Sequence, residues 1–192
     1  MSRPWKWRLG LYSILAAVLM TGSLLALRWA DQHDGPHVIF AGTPQVTVDR
    51  MLETAGVSKD DVVYDLGCGD GRFPITAAKR YGCRSVGVEI DSKLVAKARK
   101  NVADNGLEGL VEIREGDLFD VDLRPATVVT LYLLPEINVK LIPQFKQLRP
   151  GSRIVSYLFP MEGVKPTQAV KFRDPAAGDQ TYYLWITPLE FE

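Results

Sequence analysis

Residues 9–27 form an uncharged apolar run of 19 residues. As a helix it would extend roughly 28 Å, close to the hydrocarbon thickness of a bilayer. The pattern then changes. Residues 31–42 are polar and include Gly35-Pro36, which reads as a linker. Thr43-Pro44 predicts a helix start, with Thr43 as N-cap and Pro44 at the first helical position. Val46, Val48, Met51, Leu52 and Ala55 give that helix an apolar stripe, and Gly56 stops it.

From there short β-branched runs alternate with helical segments. Strands are predicted over 61–65, 85–89, 110–114, 127–132 and 153–159. Helices are predicted over 72–81, from Asp91 or Ser92 to about 101, and over 135–148 with an interruption near Pro143. Asn105-Gly106 and Arg149-Pro150-Gly151 mark turns. Two last strands, over 169–172 and 182–187, flank a turn at 175–178 and can pair as a hairpin. Near-continuous apolar strands alternating with helices imply a parallel sheet covered on both faces. The predicted fold is therefore α/β, Rossmann-like, mostly parallel with a C-terminal antiparallel hairpin, and preceded by an N-terminal apolar helix.

The first run admits three readings. Arg3, Lys6 and Arg8 precede it, and Trp5, Trp7 and Trp29 flank it as interfacial aromatics do. An uncleaved single-helix membrane anchor fits the length and the flanks. A signal peptide, with export after cleavage, would use Thr21-Gly22-Ser23 as a passable cleavage site. A buried core helix is the third. The expected organisation is an anchor or signal segment over 1–30, a linker over 31–42 and one domain over 43–192. The basic residues before the run and Asp31 and Asp34 after it orient the domain outward by the positive-inside rule.

Composition narrows the partners. Lys plus Arg and Asp plus Glu both number 23, so the formal net charge is zero. That argues against a broad basic surface, and no nucleic-acid partner is expected. Cys68 and Cys83, at opposite ends of the predicted 72–81 helix, would stand about 18 Å apart, beyond disulfide reach. His33 and His37 are two ligands in a linker, too few for a metal site, and none is expected.

Candidate chemistry centres on Val62-Val63-Tyr64-Asp65-Leu66-Gly67-Cys68-Gly69-Asp70-Gly71-Arg72, which reads as strand, glycine turn and helix start. Such a turn lets a ligand approach the backbone beside the free N–H groups of a helix terminus. It departs from the dinucleotide fingerprint G-x-G-x-x-G, because Gly71 follows Gly69 by two residues and Asp65 sits on the strand end. Asp65 and Asp70 suit a ligand bearing an ammonium and a sulfonium rather than a pyrophosphate. Glu89 ends the second strand, where a carboxylate can accept both hydroxyls of a ribose. Asp117 follows the third strand and can accept an adenine amine while the Leu118 N–H pairs with a ring nitrogen. Each acid alone is equally well a cap or a turn residue; their order on successive strand ends is what singles them out.

Asp65 to Gly71, Val88-Glu89-Ile90-Asp91, Gly116-Asp117-Leu118 and the strand ending Leu131-Tyr132 resemble the ordered motifs of class I S-adenosylmethionine-dependent methyltransferases. Thr43-Pro44-Gln45, Val48-Asp49-Arg50-Met51-Leu52 and Tyr132-Leu133-Leu134-Pro135-Glu136-Ile137-Asn138 are similar to the small membrane-associated lysine methyltransferases related to the ATP synthase c-subunit lysine methyltransferase. The resemblance implies a methyltransferase domain over 43–192 with S-adenosyl-L-methionine as cofactor. It assigns the cofactor to Asp65, Gly67, Cys68, Gly69, Gly71, Glu89, Ile90, Asp117 and Leu118, with Thr43 and Gln45 near the mouth. It also implies a protein lysine as acceptor. The chain lacks the Asn/Asp-Pro-Pro-Tyr/Phe motif of amino-methylating nucleic-acid enzymes and has Tyr-Leu-Leu-Pro-Glu in its place.

The implied chemistry is in-line methyl transfer to a neutral amine, achieved mostly by positioning. Tyr132 would face the cation or accept its hydrogen bond, and Glu136 and Asn138 would orient the amine or take its proton. Tyr132 as packing and Glu136 as a helix cap remain equal alternatives. A small-molecule or lipid methyltransferase at the membrane and a non-catalytic cofactor-binding assembly protein are the rival functions. Outward orientation conflicts with an adenosyl cofactor, whose supply is cytosolic, so the side of the membrane stays open, as does the oligomeric state.

Overall fold

The computed structural model describes residues 42–174 and 178–192. The apolar run at 9–27, with its anchor and signal readings, lies outside the described residues. Among those described, no helix is long and apolar enough to cross a membrane.

The elements run α1 (Gln45–Thr54), β1 (Val62–Leu66), α2 (Arg72–Tyr81), β2 (Arg84–Glu89), α3 (Ser92–Asp104) and β3 (Val111–Glu115). A 3-10 turn (Leu118–Asp120) leads to β4 (Val128–Leu131), α4 (Pro135–Lys140), α5 (Ile142–Phe145), β5 (Arg153–Tyr157), β6 (Gln168–Asp174) and β7 (Gly178–Ile186). The strands form one sheet in the order β3-β2-β1-β4-β5-β7-β6. β1 to β5 are parallel, and β7 is antiparallel to both β5 and β6. The strand order reverses between β1 and β4, the crevice where open α/β sheets bind ligands.

Alternation along each strand divides the core between the two sheet faces. Tyr64, Leu66, Val86, Val129, Leu131 and Ile154 pack on one face with Leu141 and Phe145 from the α4–α5 region. Val63, Val128, Val155 and Tyr157 pack on the other with Val48, Met51 and Leu52 of α1 and Phe73 and Ala77 of α2. By the same alternation Asp65, Thr130 and Tyr132 belong to this second face.

Several expected boundaries differ. Pro44, not Thr43, caps α1: its carbonyl accepts the Thr47 and Val48 N–H groups at 2.9 and 3.1 Å. Thr43 lies one position earlier, buried, with its carbonyl held by Arg72 at 2.5 Å. The expected 135–148 helix divides at Leu141, because Pro143 lacks an N–H and its ring excludes a preceding carbonyl. The hairpin strands are longer than the apolar stretches that predict them. β6 exposes most of its residues, so backbone pairing from Gln168↔Leu184 to Asp174↔Gly178 defines it. β5 stops at Tyr157 rather than 159, since Leu158 has φ 62°.

At the amino end of the sheet Asp61 fastens three segments. It accepts the Thr127 hydroxyl at 2.6 Å, the Ser58 N–H at 2.8 Å and the Arg153 guanidinium at 2.7 Å. Arg153 also donates to the Ala55 carbonyl at 3.0 Å. Burial works to raise the Asp61 carboxyl, but these donors together hold it below the usual carboxylate value.

Candidate active site

β1 delivers the chain into a turn in which Gly67, Gly69 and Gly71 all have positive φ, at 76°, 56° and 81°. Other side chains would be strained there. The Gly67 and Cys68 N–H groups both donate to the Val88 carbonyl at 2.9 Å, which folds the turn over the end of β2. A glycine inside β2 permits this closeness. A Cβ at Gly87 would lie 2.7 Å from the Cys68 sulfur and 2.9 Å from Ile113 Cδ1. Cys68 is buried, and burial with the neighbouring acids pushes its thiol far above the ordinary range. Its contribution to a ligand is therefore through its backbone. Cys83 is also a free, buried thiol.

Glu89 closes the turn from the side. Its Oε2 accepts the Gly69 N–H at 2.9 Å, and its Oε1 accepts the Ile90 and Asp91 N–H groups at 2.9 and 3.0 Å. The carboxylate is thus fixed at the carboxyl end of β2 by three backbone donors. Asp91 in turn caps α3 through the Lys93 and Leu94 N–H groups.

Asp65 is the buried charge of the site. Parallel register sets it between Gly87 of β2 and Thr130 of β4. Its Oδ1 accepts the Thr130 hydroxyl at 2.6 Å. Burial pushes the Asp65 carboxyl up to about 7; the Thr130 hydrogen bond opposes the rise, and the charges of Glu89 and Asp70 add to it. A buried carboxylate with one hydroxyl partner is poised to accept a cation. Asp70 behaves oppositely. Arg72 donates to both its oxygens, at 2.9 and 2.7 Å, and holds its carboxyl below the usual range. The same guanidinium reaches the Thr43 carbonyl, tying the segment before α1 to the glycine turn. Asn101 of α3 donates to the Asp70 carbonyl at 2.9 Å.

Asp117 follows β3 and caps the 3-10 turn, its Oδ1 accepting the Phe119 N–H at 2.9 Å. Leu118 is half-buried beside it, and its carbonyl lies 3.5 Å from the Gln144 amide. Ile90 and Phe119, at 66% and 40% exposure, leave two bare apolar side chains among the acids at these strand ends. Such surfaces suit the faces of a purine.

The acceptor side lies beyond β4. Leu133 abuts the turn, its Cδ2 3.1 Å from where a Gly67 Cβ would stand. Tyr132, half-buried, meets the Tyr157 ring edge-on at 4.8 Å and the Phe159 ring nearly parallel at 6.2 Å. Glu136 is exposed in the first turn of α4. Asn138, expected to orient the amine, is fully buried. Its Nδ2 donates to the Ser156 hydroxyl and the Phe159 carbonyl, both at 3.2 Å, so direct contact with an acceptor is closed to it. Gln45, expected at the cofactor mouth, is exposed and ties α1 to α2 by donating to Thr76 at 3.0 Å and to Asp49 at 3.1 Å.

The structure adds residues that the motifs did not single out: Gly87, Thr130, Ser156, Phe159 and Asn101. Parallel register opposite Asp65 was the available signal for Gly87 and Thr130. Ser156 and Phe159 gave none, because only tertiary packing brings Ser156 to Asn138 and Phe159 to Tyr132. A groove of about 480 Å³, lined in part by Tyr64, Arg84, Glu112 and Arg114, lies at the amino end of β1 to β3 and includes none of these residues.

Comparison with known proteins agrees with this geometry. Residues 65–168 match the model of the ANTKMT methyltransferase domain. A protein-lysine N-methyltransferase of Saccharolobus islandicus (strain REY15A) is 46% identical over 153 residues, covering 79% of this chain and 94% of the relative. An ATP synthase c-subunit lysine N-methyltransferase of Caenorhabditis elegans is 29% identical over 129 residues, covering 66% of this chain and 67% of the relative. A crystal structure described as an RNA methyltransferase from Salinibacter ruber in complex with S-adenosyl-L-homocysteine is 51% identical, with a TM-score of 0.73. It covers 79% of this chain and 97% of that one. The donor set fits the same cofactor: a buried acid, a backbone-fixed acid and bare apolar faces, with the one arginine of the turn already neutralised by Asp70. The chain belongs to the ANTKMT methyltransferase domain family and is an S-adenosylmethionine-dependent methyltransferase.

Proposed function

We propose that the chain methylates the side-chain amine of a lysine in a protein substrate. The observation that carries this reading is the aromatic group Tyr132, Tyr157 and Phe159, joined through Leu133 to the acid-lined turn. Two relatives whose names specify lysine N-methylation support it.

Asp65 would hold the amino group of the cofactor's methionine part, Glu89 the ribose hydroxyls, and Asp117 with the Leu118 N–H the adenine. Ile90 and Phe119 would cover the base. When bound, the cofactor supplies an electrophilic methyl on a sulfonium. The protein's remaining task is to bring a neutral amine into line with it. A free lysine, with pKa near 10.4, costs about 4 to 5 kcal/mol to deprotonate at neutral pH. An apolar aromatic approach lowers that cost by penalising the ammonium's loss of water. Ring faces repay part of the loss to a cation while it remains charged. Tyr132 carries a hydroxyl at this place, and Glu136 offers a carboxylate at the rim to take the proton.

We also propose that residues 9–27 tether the domain to a membrane, on the strength of the 19-residue apolar run and its flanking tryptophans. The flanking charges and the cofactor's supply point to opposite sides, and a C-terminal topology reporter distinguishes them.

A second reading, an RNA acceptor, rests on the description of the Salinibacter structure. The zero net charge weighs against it. The test is transfer of labelled methyl into membrane and soluble fractions, compared with Asp65→Ala. Label lost to protease supports the lysine reading. Label lost to ribonuclease, or extracted into organic solvent, replaces it with an RNA or a lipid acceptor.

A further inference from the structure

The carboxyl end of β5 carries a strained turn. Leu158, with φ 62°, is the one non-glycine residue with positive φ among the described residues. The Phe159 N–H donates to the Tyr157 carbonyl at 2.8 Å, two residues back. Tyr157–Phe159 is therefore a γ-turn of the rare, strained hand. Leucine has no local hydrogen bond with which to offset that conformation.

Neighbouring groups hold it there. The Leu158 N–H donates to the Thr181 carbonyl of β7 at 2.9 Å. The Phe159 carbonyl accepts the Ser156 hydroxyl at 2.6 Å and the Asn138 amide at 3.2 Å. Pro160 restricts Phe159 to extended backbone. The Asn138 Oδ1 is buried without a partner, so the amide is an expensive way to fill that space. What the amide supplies in return is the Nδ2 grip on Ser156 and on the turn.

The turn fixes rings. Tyr157 and Phe159, its first and last residues, meet Tyr132 edge-on and nearly parallel, at interplanar angles of 62° and 17°. Strain held by surrounding bonds next to a ligand crevice is a mark of preorganisation.

We propose that Asn138 and Ser156 are positioning residues that lock the Leu158 turn, so that Phe159 and Tyr132 present a rigid aromatic face to the acceptor amine. The inference rests on the lysine reading above and assigns no cofactor contact to either residue. It separates two quantities that a merely structural role would move together: the acceptor's kinetics respond and the cofactor's affinity does not.

The test uses the full chain with labelled S-adenosylmethionine, membrane and soluble protein fractions as acceptor, and S-adenosylhomocysteine as the cofactor probe. Ser156→Ala and Asn138→Leu should each lower transfer at saturating cofactor by about tenfold or more, with higher half-saturation for the acceptor. The S-adenosylhomocysteine dissociation constant should stay within about twofold of wild type, since its site is separate. Asn138→Leu controls for folding, because leucine matches the amide in size, removes its unpartnered Oδ1 and leaves the Ser156 hydroxyl on the Phe159 carbonyl, so its melting temperature should not fall. Wild-type transfer with unchanged Asn138→Leu and Ser156→Ala rates would overturn the proposal alone. Absence of transfer by the wild type would overturn the lysine reading and this proposal with it.

Discussion

Acidification should weaken S-adenosylhomocysteine binding through Asp65. Its carboxyl titrates at about 7 in the free protein, because burial raises it more than the Thr130 hydroxyl lowers it. An ammonium placed against it favours the ionised form. From about pH 8 to about pH 6 the ionised fraction falls from about nine-tenths to about a tenth, so affinity should fall about tenfold, or about 1.4 kcal/mol. Asp70 does not share in this change, since Arg72 keeps its carboxyl below the usual range. The sign for folding is opposite. A carboxyl whose folded value exceeds its unfolded value favours the native state in acid, so the free protein should lose stability as pH rises from about 4 through about 7. Isothermal titration at matched ionic strength, in two buffers of different ionisation enthalpy, reads both the affinity and the proton released. Asp65→Asn should bind weakly at every pH and melt higher than wild type in neutral buffer. An affinity that is flat across this range in the wild type, or the same pH dependence in Asp65→Asn, would refute the assignment of Asp65 to the cofactor's amino group.

Gly87→Ala should displace the glycine turn, because its Cβ would lie 2.7 Å from the Cys68 sulfur. Overpacking of this kind costs about 1 to 3 kcal/mol, and calorimetry should show weaker S-adenosylhomocysteine binding that Cys68→Ala partly restores. Arg153→Met removes the charged partner of Asp61 and the donor to Ala55. Urea unfolding should show a loss of about 2 to 3 kcal/mol near neutral pH. Since the Asp61 carboxyl is held low, that difference is present above its unfolded value and should shrink as acid protonates it. Cofactor affinity should not change, because Asp61 lies at the far end of the sheet. Glu136→Gln should lower methyl transfer with S-adenosylhomocysteine binding retained; unchanged turnover would assign Glu136 to capping α4.

The strand-end placement of the candidate cofactor residues was legible because each part is a local run. Asp65 to Gly71, Glu89 to Asp91 and Asp117 to Leu118 each combine a strand end with the turn that follows, so chain order alone aligns them at the sheet's carboxyl edge. Helix α2 matched its predicted bounds because Gly71 and Gly82 terminate it. The acceptor half is assembled differently. Tyr132 acquires its environment from Tyr157 and Phe159, and Asn138 from Ser156, all of which arrive on β5 or the turn that follows it. Asn138 reads as polar and near the motif, hence as a substrate group, whereas helix α4 turns it inward. The length of β6 was hidden for a related reason: an edge strand of mostly exposed residues is defined by pairing rather than by apolar alternation.

Two costs therefore fall on one face of the sheet. Asp65 is a buried carboxylate whose chief partner is a hydroxyl, and Leu158 sits in a backbone conformation unfavourable for leucine. Neither cost serves folding: an amide at 65 would remove the first, and the Leu158 side chain could pack against the core without a positive φ. Their positions match the two things a methyl-transfer site must bind, a cation of the cofactor and an amine to be methylated. On the proposed assignment, the cost at Asp65 would be recovered when the cofactor's ammonium arrives, so it would act on affinity and give it a pH dependence. The strain at Leu158 is not relieved by any charge. It is held through Asn138, Ser156 and Thr181, and so it acts on geometry. A site divided in this way can keep one cofactor half while its acceptor wall is altered by substitutions in the α4 and β5 region.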